Sequence, residues 1–160
     1  MSDDRAFTEK FPEPPSAPDP RLKVLDRIVG TWNLKHRDLN TGEEWEGQDI
    51  YQWMDGGYFL SEHHEEYGKN IKGMMVIGYE QRFGQEKPSD DIIGHWFESS
   101  TGAHYVYYWD VTETTVTCEF EEKGSEAAFR GTFSEDGRTI TGAWRWPGGG
   151  YEITKAKVSA

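Results

Sequence analysis

From Thr31 to the C-terminus the chain is punctuated by turn signals about every ten residues. They are Thr41-Gly42, Asp55-Gly56, Gly68-Lys69-Asn70, Thr101-Gly102, Glu122-Lys123-Gly124, Asp136-Gly137 and Gly148-Gly149. Between them Thr, Val, Ile and aromatic residues alternate with polar ones, the period of a half-buried β-strand. Ten strands are expected, near 31–39, 43–54, 57–67, 71–80, 91–99, 102–110, 114–121, 126–134, 138–146 and 150–158. Only 81–90 is a connection longer than a tight turn. Hairpins this short make neighbours in sequence neighbours in space, so the strands form an antiparallel meander. An open sheet of this size leaves two unpaired edges, and closure removes them. The expected fold is all-β: a closed ten-stranded antiparallel up-and-down barrel with a short N-terminal helix and a disordered N-terminal tail.

The tail is residues 1–19, where Pro12, Pro14, Pro15 and Pro18 stand in a window poor in aliphatic residues, a composition that favours extended chain. Residues 20–160 are the barrel domain. Asp19 is the expected N-cap and Pro20 the first helical residue. Leu22, Leu25, Ile28 and Val29 form one apolar face, with Gly30 as the C-terminal stop. The chain carries 29 acidic and 17 basic side chains, a net charge of −12, and nevertheless has seven Trp, eight Tyr and eight Phe. The acidity excludes a basic footprint for nucleic acid or an anionic membrane. The rings exclude an acidic disordered chain. Cys118 is the single cysteine, so there is no internal disulfide and no four-Cys zinc site. No apolar run reaches the ~18 residues of a membrane helix, and the polar N-terminus shows no secretory core. The expected location is the cytoplasm.

Turn positions set register, and register sets facing. Two-residue turns at Asp55-Gly56 and Thr41-Gly42 place Asp49 opposite Glu62, Gly47 opposite His64 and also opposite His36, and Tyr51 opposite both Leu60 and Trp32. Asp136-Gly137 places Phe129 opposite Trp144, and Gly148-Gly149 places Trp144 opposite Ile153. The inward set then comprises Trp32, Leu34, His36, Trp45, Tyr51, Trp53, Tyr58, Leu60, Met75, Ile77, Val116, Cys118, Phe120, Phe129, Phe133, Ile140, Trp144 and Ile153. The hairpin 91–110 has large residues on both faces: Trp96, Tyr105, Tyr107 and Trp109 compete with Phe97, Val106 and Tyr108. Its orientation is left open, and an outward aromatic face there would suit a homodimer contact. Ten strands enclose more space than the eight that side chains just fill, so an aromatic-walled interior pocket is expected.

Gly30-Thr31-Trp32, after a short helix and at the start of the first strand, resembles the calycin superfamily of lipocalins, fatty-acid-binding proteins and nitrobindins. Leu25-Asp26-Arg27-Ile28-Val29-Gly30-Thr31-Trp32, Gly56-Gly57-Tyr58-Phe59-Leu60, Gly78-Tyr79 and Trp96-Phe97-Glu98-Ser99 are more closely similar to an uncharacterised bacterial family of lipocalin-like barrels. The resemblance covers roughly 22–158. It implies a Trp32 ring lying under a late basic side chain, Lys155 or Lys157. Two departures matter. Thr41-Gly42 leaves no room for the helical lid of fatty-acid-binding proteins. The last histidine is His104, so the nitrobindin haem ligand near the C-terminus has no counterpart.

The registers gather His36, Asp49, Glu62 and His64 on one inner face. Asp49 and Glu62 are then direct partners, with Cα atoms about 4.5–5.5 Å apart. Opposed carboxylates raise one pKa. Three readings stay open: a solvated Glu62–Glu66 strand end, a buried ordering network, and a ligand-orienting or acid/base cluster. The four groups also have the donor types of a divalent metal site, although neither a metal nor a cofactor is expected. Cys118 reads as a small buried hydrophobe. The Gly148–Gly150 run lacks the following helix that phosphate binding needs. The expected function is binding of a small hydrophobic or aromatic molecule by His36, Asp49, Tyr51, Trp53, Glu62, His64, Met75, Phe129 and Trp144. The alternative is a cofactor-free isomerase or cyclase using the same acid/base groups.

Overall fold

A computed structural model describes residues 15–159. The expected tail falls outside the described residues up to position 14. Pro15–Asp19 have no regular structure, and the Tyr58 hydroxyl donates to the Pro15 carbonyl at 3.1 Å.

Ten antiparallel strands close into one barrel: β1 (Gly30–Asp38), β2 (Glu44–Trp53), β3 (Leu60–Glu66), β4 (Ile71–Tyr79), β5 (Ile92–Glu98), β6 (His104–Val111), β7 (Thr115–Phe120), β8 (Ala128–Phe133), β9 (Thr139–Trp146) and β10 (Gly149–Ser159). Each strand pairs with its sequence neighbour, and β1 also pairs with β10 to close the ring. The expected fold class is therefore observed.

The N-terminal helix is a 3-10 helix, Pro20–Ile28, and Asp19 caps it by accepting from the Arg21 N–H at 2.9 Å. Three-residue turns eclipse side chains at i and i+3. Leu22, Leu25 and Ile28 consequently make one buried row, with each side chain contributing about 1.5–3 kcal/mol by burial. Gly30 is not a left-handed stop after this helix. Val29 is already extended, and Gly30 opens β1 at φ 128°. The Trp32 indole N–H donates to the Ile28 carbonyl at 2.8 Å, which satisfies an orphan acceptor at the helix end. Lys157 lies 5.5 Å from the Trp32 ring centroid, so Lys157 and not Lys155 covers that ring. The helix, Trp32, Leu60, Ile77 and Ile140 fill this end of the barrel.

Three expected registers are displaced by two residues, and one is as expected. The β1–β2 loop holds four residues: the Asp38 N–H donates to the Glu43 carbonyl at 2.8 Å, and His36 pairs with Trp45. The β2–β3 loop also holds four, bounded by the Met54–Phe59 bond at 2.9 Å. Asp49 therefore pairs with His64 and Tyr51 with Glu62, and Gly47 pairs with Glu66, not His64. On β9–β10 the turn is Pro147-Gly148, which pairs Trp144 with Tyr151. The Phe129–Trp144 pair is as expected. A two-residue displacement preserves facing, since side chains alternate with period two.

The 91–110 hairpin turns Trp96, Tyr105, Tyr107 and Trp109 inward, while Phe97 is 48% exposed. Two glycines on the inner face decide this. A Cβ at Gly94 would lie 2.4 Å from Met75 Sδ and 2.6 Å from Trp109 Nε1, and one at Gly73 would lie 2.6 Å from the Trp96 ring. Only the face without those Cβ atoms accepts the two indoles. Among the described residues no helix is long and apolar enough to cross a membrane.

Candidate functional site

Alternation on adjacent strands places polar groups in one half of the barrel and rings in the other. Asp49 and Tyr51 on β2, Glu62, His64 and Glu66 on β3 and Lys155 on β10 form the polar half. Trp96, Tyr107, Trp109, Phe129 and Trp144, on β5 to β9, line the opposite half. Between them is a cavity of about 220 Å³.

Asp49 is fully buried at the centre of the polar half. Its Oδ1 accepts from His64 Nδ1 at 2.5 Å, and its Oδ2 accepts from Lys155 Nζ at 2.8 Å. The other His64 nitrogen, Nε2, donates to Glu66 Oε2 at 2.9 Å, and Glu66 Oε1 accepts from the Trp45 indole at 2.7 Å. A carboxylate only accepts, so with one on each nitrogen His64 donates twice and is an imidazolium. Burial opposes that charge, but the Asp49 charge and the bonds to Asp49 and Glu66 outweigh it and raise the His64 pKa to about 10. Burial likewise opposes ionisation of Asp49, and the Lys155 and His64 charges prevail and hold its carboxyl below the ordinary range. The Glu66 carboxyl is lowered too, with burial overcome by its bond to His64. Burial disfavours the Lys155 ammonium, and Asp49 and Glu62 more than restore it.

Glu62 is the exception in this set. Burial first, then the nearby Asp49 charge, push its pKa up to about 8. At pH 7 two negative charges (Asp49, Glu66) thus face two positive ones (His64, Lys155), with Glu62 neutral. The Tyr51 hydroxyl lies 3.2 Å from Glu62 Oε1 and 3.4 Å from Asp49 Oδ2. Glu62 Oε2 is buried with no hydrogen-bond partner. An Asp49, Glu62 and His64 atom each lie within 4.8 Å of the others. Both His64 lone pairs are already protonated, however, and Lys155 sits on Asp49. As arranged, the trio offers a metal ion no imidazole ligand and a competing ammonium.

Of the residues expected at the site, Tyr51, Glu62, His64, Met75, Phe129 and Trp144 line the cavity. Asp49 lies behind them. His36 is buried beside the network, stacked on Trp45 at 5.0 Å, with Nδ1 3.3 Å from the Trp45 carbonyl and Nε2 3.7 Å from Glu66. Burial lowers its pKa, so it is the neutral partner of the group. Trp53 is elsewhere: its indole donates to Asp26 Oδ1 at 2.7 Å and fastens the helix to β2. The direct Asp49–Glu62 pairing is replaced by Asp49–His64. Lys155 and Glu66 were not among the expected site residues, although strand parity carries their signal. Lys155 shares a face with Ile153, and Glu66 shares one with Glu62 and His64. Cys118 lines the cavity, with its thiol pKa pushed up by burial.

No family model matches the chain, and no curated protein matches it significantly.

Proposed function

We propose that this barrel binds a small, mostly aromatic or apolar molecule in its interior. The observation that carries the reading is the cavity of about 220 Å³, lined by rings on one side and a charge-balanced polar network on the other. Aromatic walls with a few convergent polar groups suit small-molecule sites. An apolar cavity of about 150 Å³ accepts benzene, so this one suits a one- or two-ring molecule. The closed barrel, the helix plugging one end and Lys157 over Trp32 support kinship with calycin barrels. A buried, unpaired Cys118 fits the reducing cytoplasm.

Nitrobenzene, a neutral one-ring quencher of Trp fluorescence, tests the proposal. Occupation of the cavity near Trp96, Trp109 and Trp144 gives saturable quenching. Cys118→Phe, which fills the space from β7, abolishes the saturable part while circular dichroism confirms the barrel. Linear, purely collisional quenching in the parent protein overturns the reading.

A further inference from the structure

Resting on that reading, the polar half also specifies the ligand's chemistry. Of the side chains lining the cavity, Glu62 is the one among the described residues with a buried polar atom lacking a partner, Oε2. It is 6% exposed. Its other oxygen, Oε1, faces the Tyr51 hydroxyl at 3.2 Å and His64 Nδ1 at 3.9 Å. The Glu62 proton therefore has two possible places. On Oε2 it is a buried donor with no acceptor, the costlier kind of orphan. On Oε1 it faces the Tyr51 hydroxyl oxygen at 3.2 Å, which can accept it while Tyr51 donates to Asp49 Oδ2 at 3.4 Å. The second placement leaves Oε2 as an unpartnered acceptor on a side chain that lines the cavity.

We infer that the ligand is a small aromatic molecule with an N–H or O–H donor, of the indole or phenol class, and that Glu62 Oε2 accepts its hydrogen. The wall has an acceptor to fill, and the charged donors beside it are committed: both His64 nitrogens and the short Lys155 bond go to Asp49 and Glu66.

Indole and benzofuran test this directly. They share a bicyclic shape, and only indole carries a donor. By isothermal titration calorimetry at pH 7, indole binds about five- to tenfold more tightly than benzofuran, the range of one net hydrogen bond. Glu62→Leu erases the preference and leaves benzofuran binding. Glu62→Gln, which keeps an acceptor oxygen, retains it. The groups facing Glu62 are Asp49 and Tyr51 on β2, His64 on β3, Tyr107 on β6, Cys118 on β7 and Lys155 on β10. Loss of the Glu62 proton near pH 8 makes Oε2 a stronger acceptor. The indole-to-benzofuran ratio rises between pH 7 and 9 in the parent protein and stays flat in Glu62→Gln. Equal affinities in the parent protein, a preference that survives Glu62→Leu, or a ratio that falls with pH overturns the inference. Failure of both bicycles to bind, together with linear nitrobenzene quenching, overturns the binding proposal itself.

Discussion

Replacing Lys155 by Met removes one of the four charges that balance inside the barrel. The Lys155 side chain is 12% exposed, its ammonium lies 2.8 Å from Asp49 Oδ2, and Asp49 is fully buried. The Met side chain fills similar volume, so the packing loss is small and the electrostatic loss dominates. Asp49 Oδ2 retains only the Tyr51 hydroxyl at 3.4 Å, while Oδ1 keeps His64. Breaking a buried pair costs ~3–5 kcal/mol. Because His64 still holds the carboxylate, the lower end applies, about 3 kcal/mol. For a chain of this size that lowers Tm by roughly 6–12 °C, measured by circular dichroism. Asp49→Asn in the same chain removes the stranded charge, so the double variant is more stable than the sum of the singles by at least about 1.5 kcal/mol. The deficit also depends on pH. In the parent protein Asp49 titrates below its ordinary value, because Lys155 and His64 overcome the opposing effect of burial. It therefore contributes stability above the ordinary carboxylate pKa of ~4, which is lost as pH falls through the folded value. Without Lys155 the folded value moves up, and the deficit is full at pH 7 and shrinks below pH ~4. A Tm within about 2 °C of the parent, or a deficit identical at pH 7 and pH 3, refutes the reasoning and makes Lys155 a hydrocarbon stem whose charge is satisfied by solvent.

His64, with both nitrogens bonded to carboxylates, gives imidazolium ¹⁵N shifts at pH 8 and titrates near 10, and Asp49→Asn lowers that value; a neutral ring at pH 8 refutes the assignment. Gly94→Ala puts a methyl against Met75 and Trp109, costs about 1–3 kcal/mol by overpacking and weakens nitrobenzene binding. Unchanged urea midpoint and affinity contradict it. Trp53→Phe removes the bond to Asp26, costs about 1 kcal/mol and speeds proteolysis within 15–28 without altering ligand affinity. A changed affinity would return Trp53 to the binding site.

Architecture, and facing outside the 91–110 hairpin, were legible because turn spacing and period-two alternation are local signals. Register was less so. A Thr41-Gly42 turn leaves out Asp38, whose Oδ1 accepts from the Asn40 and Thr41 N–H groups and so starts the loop earlier. Asp55-Gly56 leaves out Gly57, which also has a positive φ. Pro147-Gly148 was readable, since Pro followed by a positive-φ Gly is a standard turn pair. Each displacement was two residues, so His36, Asp49, Glu62 and His64 stayed inward while their partners changed. Lys155 and Glu66 were not assigned to the site because a strand lysine and an acidic run both resemble solvated surface. Only the facing strands, distant in sequence, supply the charges that hold them inside. The orientation of the 91–110 hairpin was encoded by absence: Gly73 and Gly94 reserve the volume that Trp96 and Trp109 occupy.

The division of the barrel into unlike halves has a stereochemical consequence. The carboxyl of Glu62 lies on one side, the indoles and phenol rings of β5 to β9 lie across from it, and the apolar plug of Trp32 and the 3-10 helix closes one end. These are three non-equivalent directions fixed in one chiral frame. A molecule that engages all three can be superimposed on the chamber in one handedness only, so a chamber that takes the proposed ring and donor would also sort a chiral guest from its mirror image.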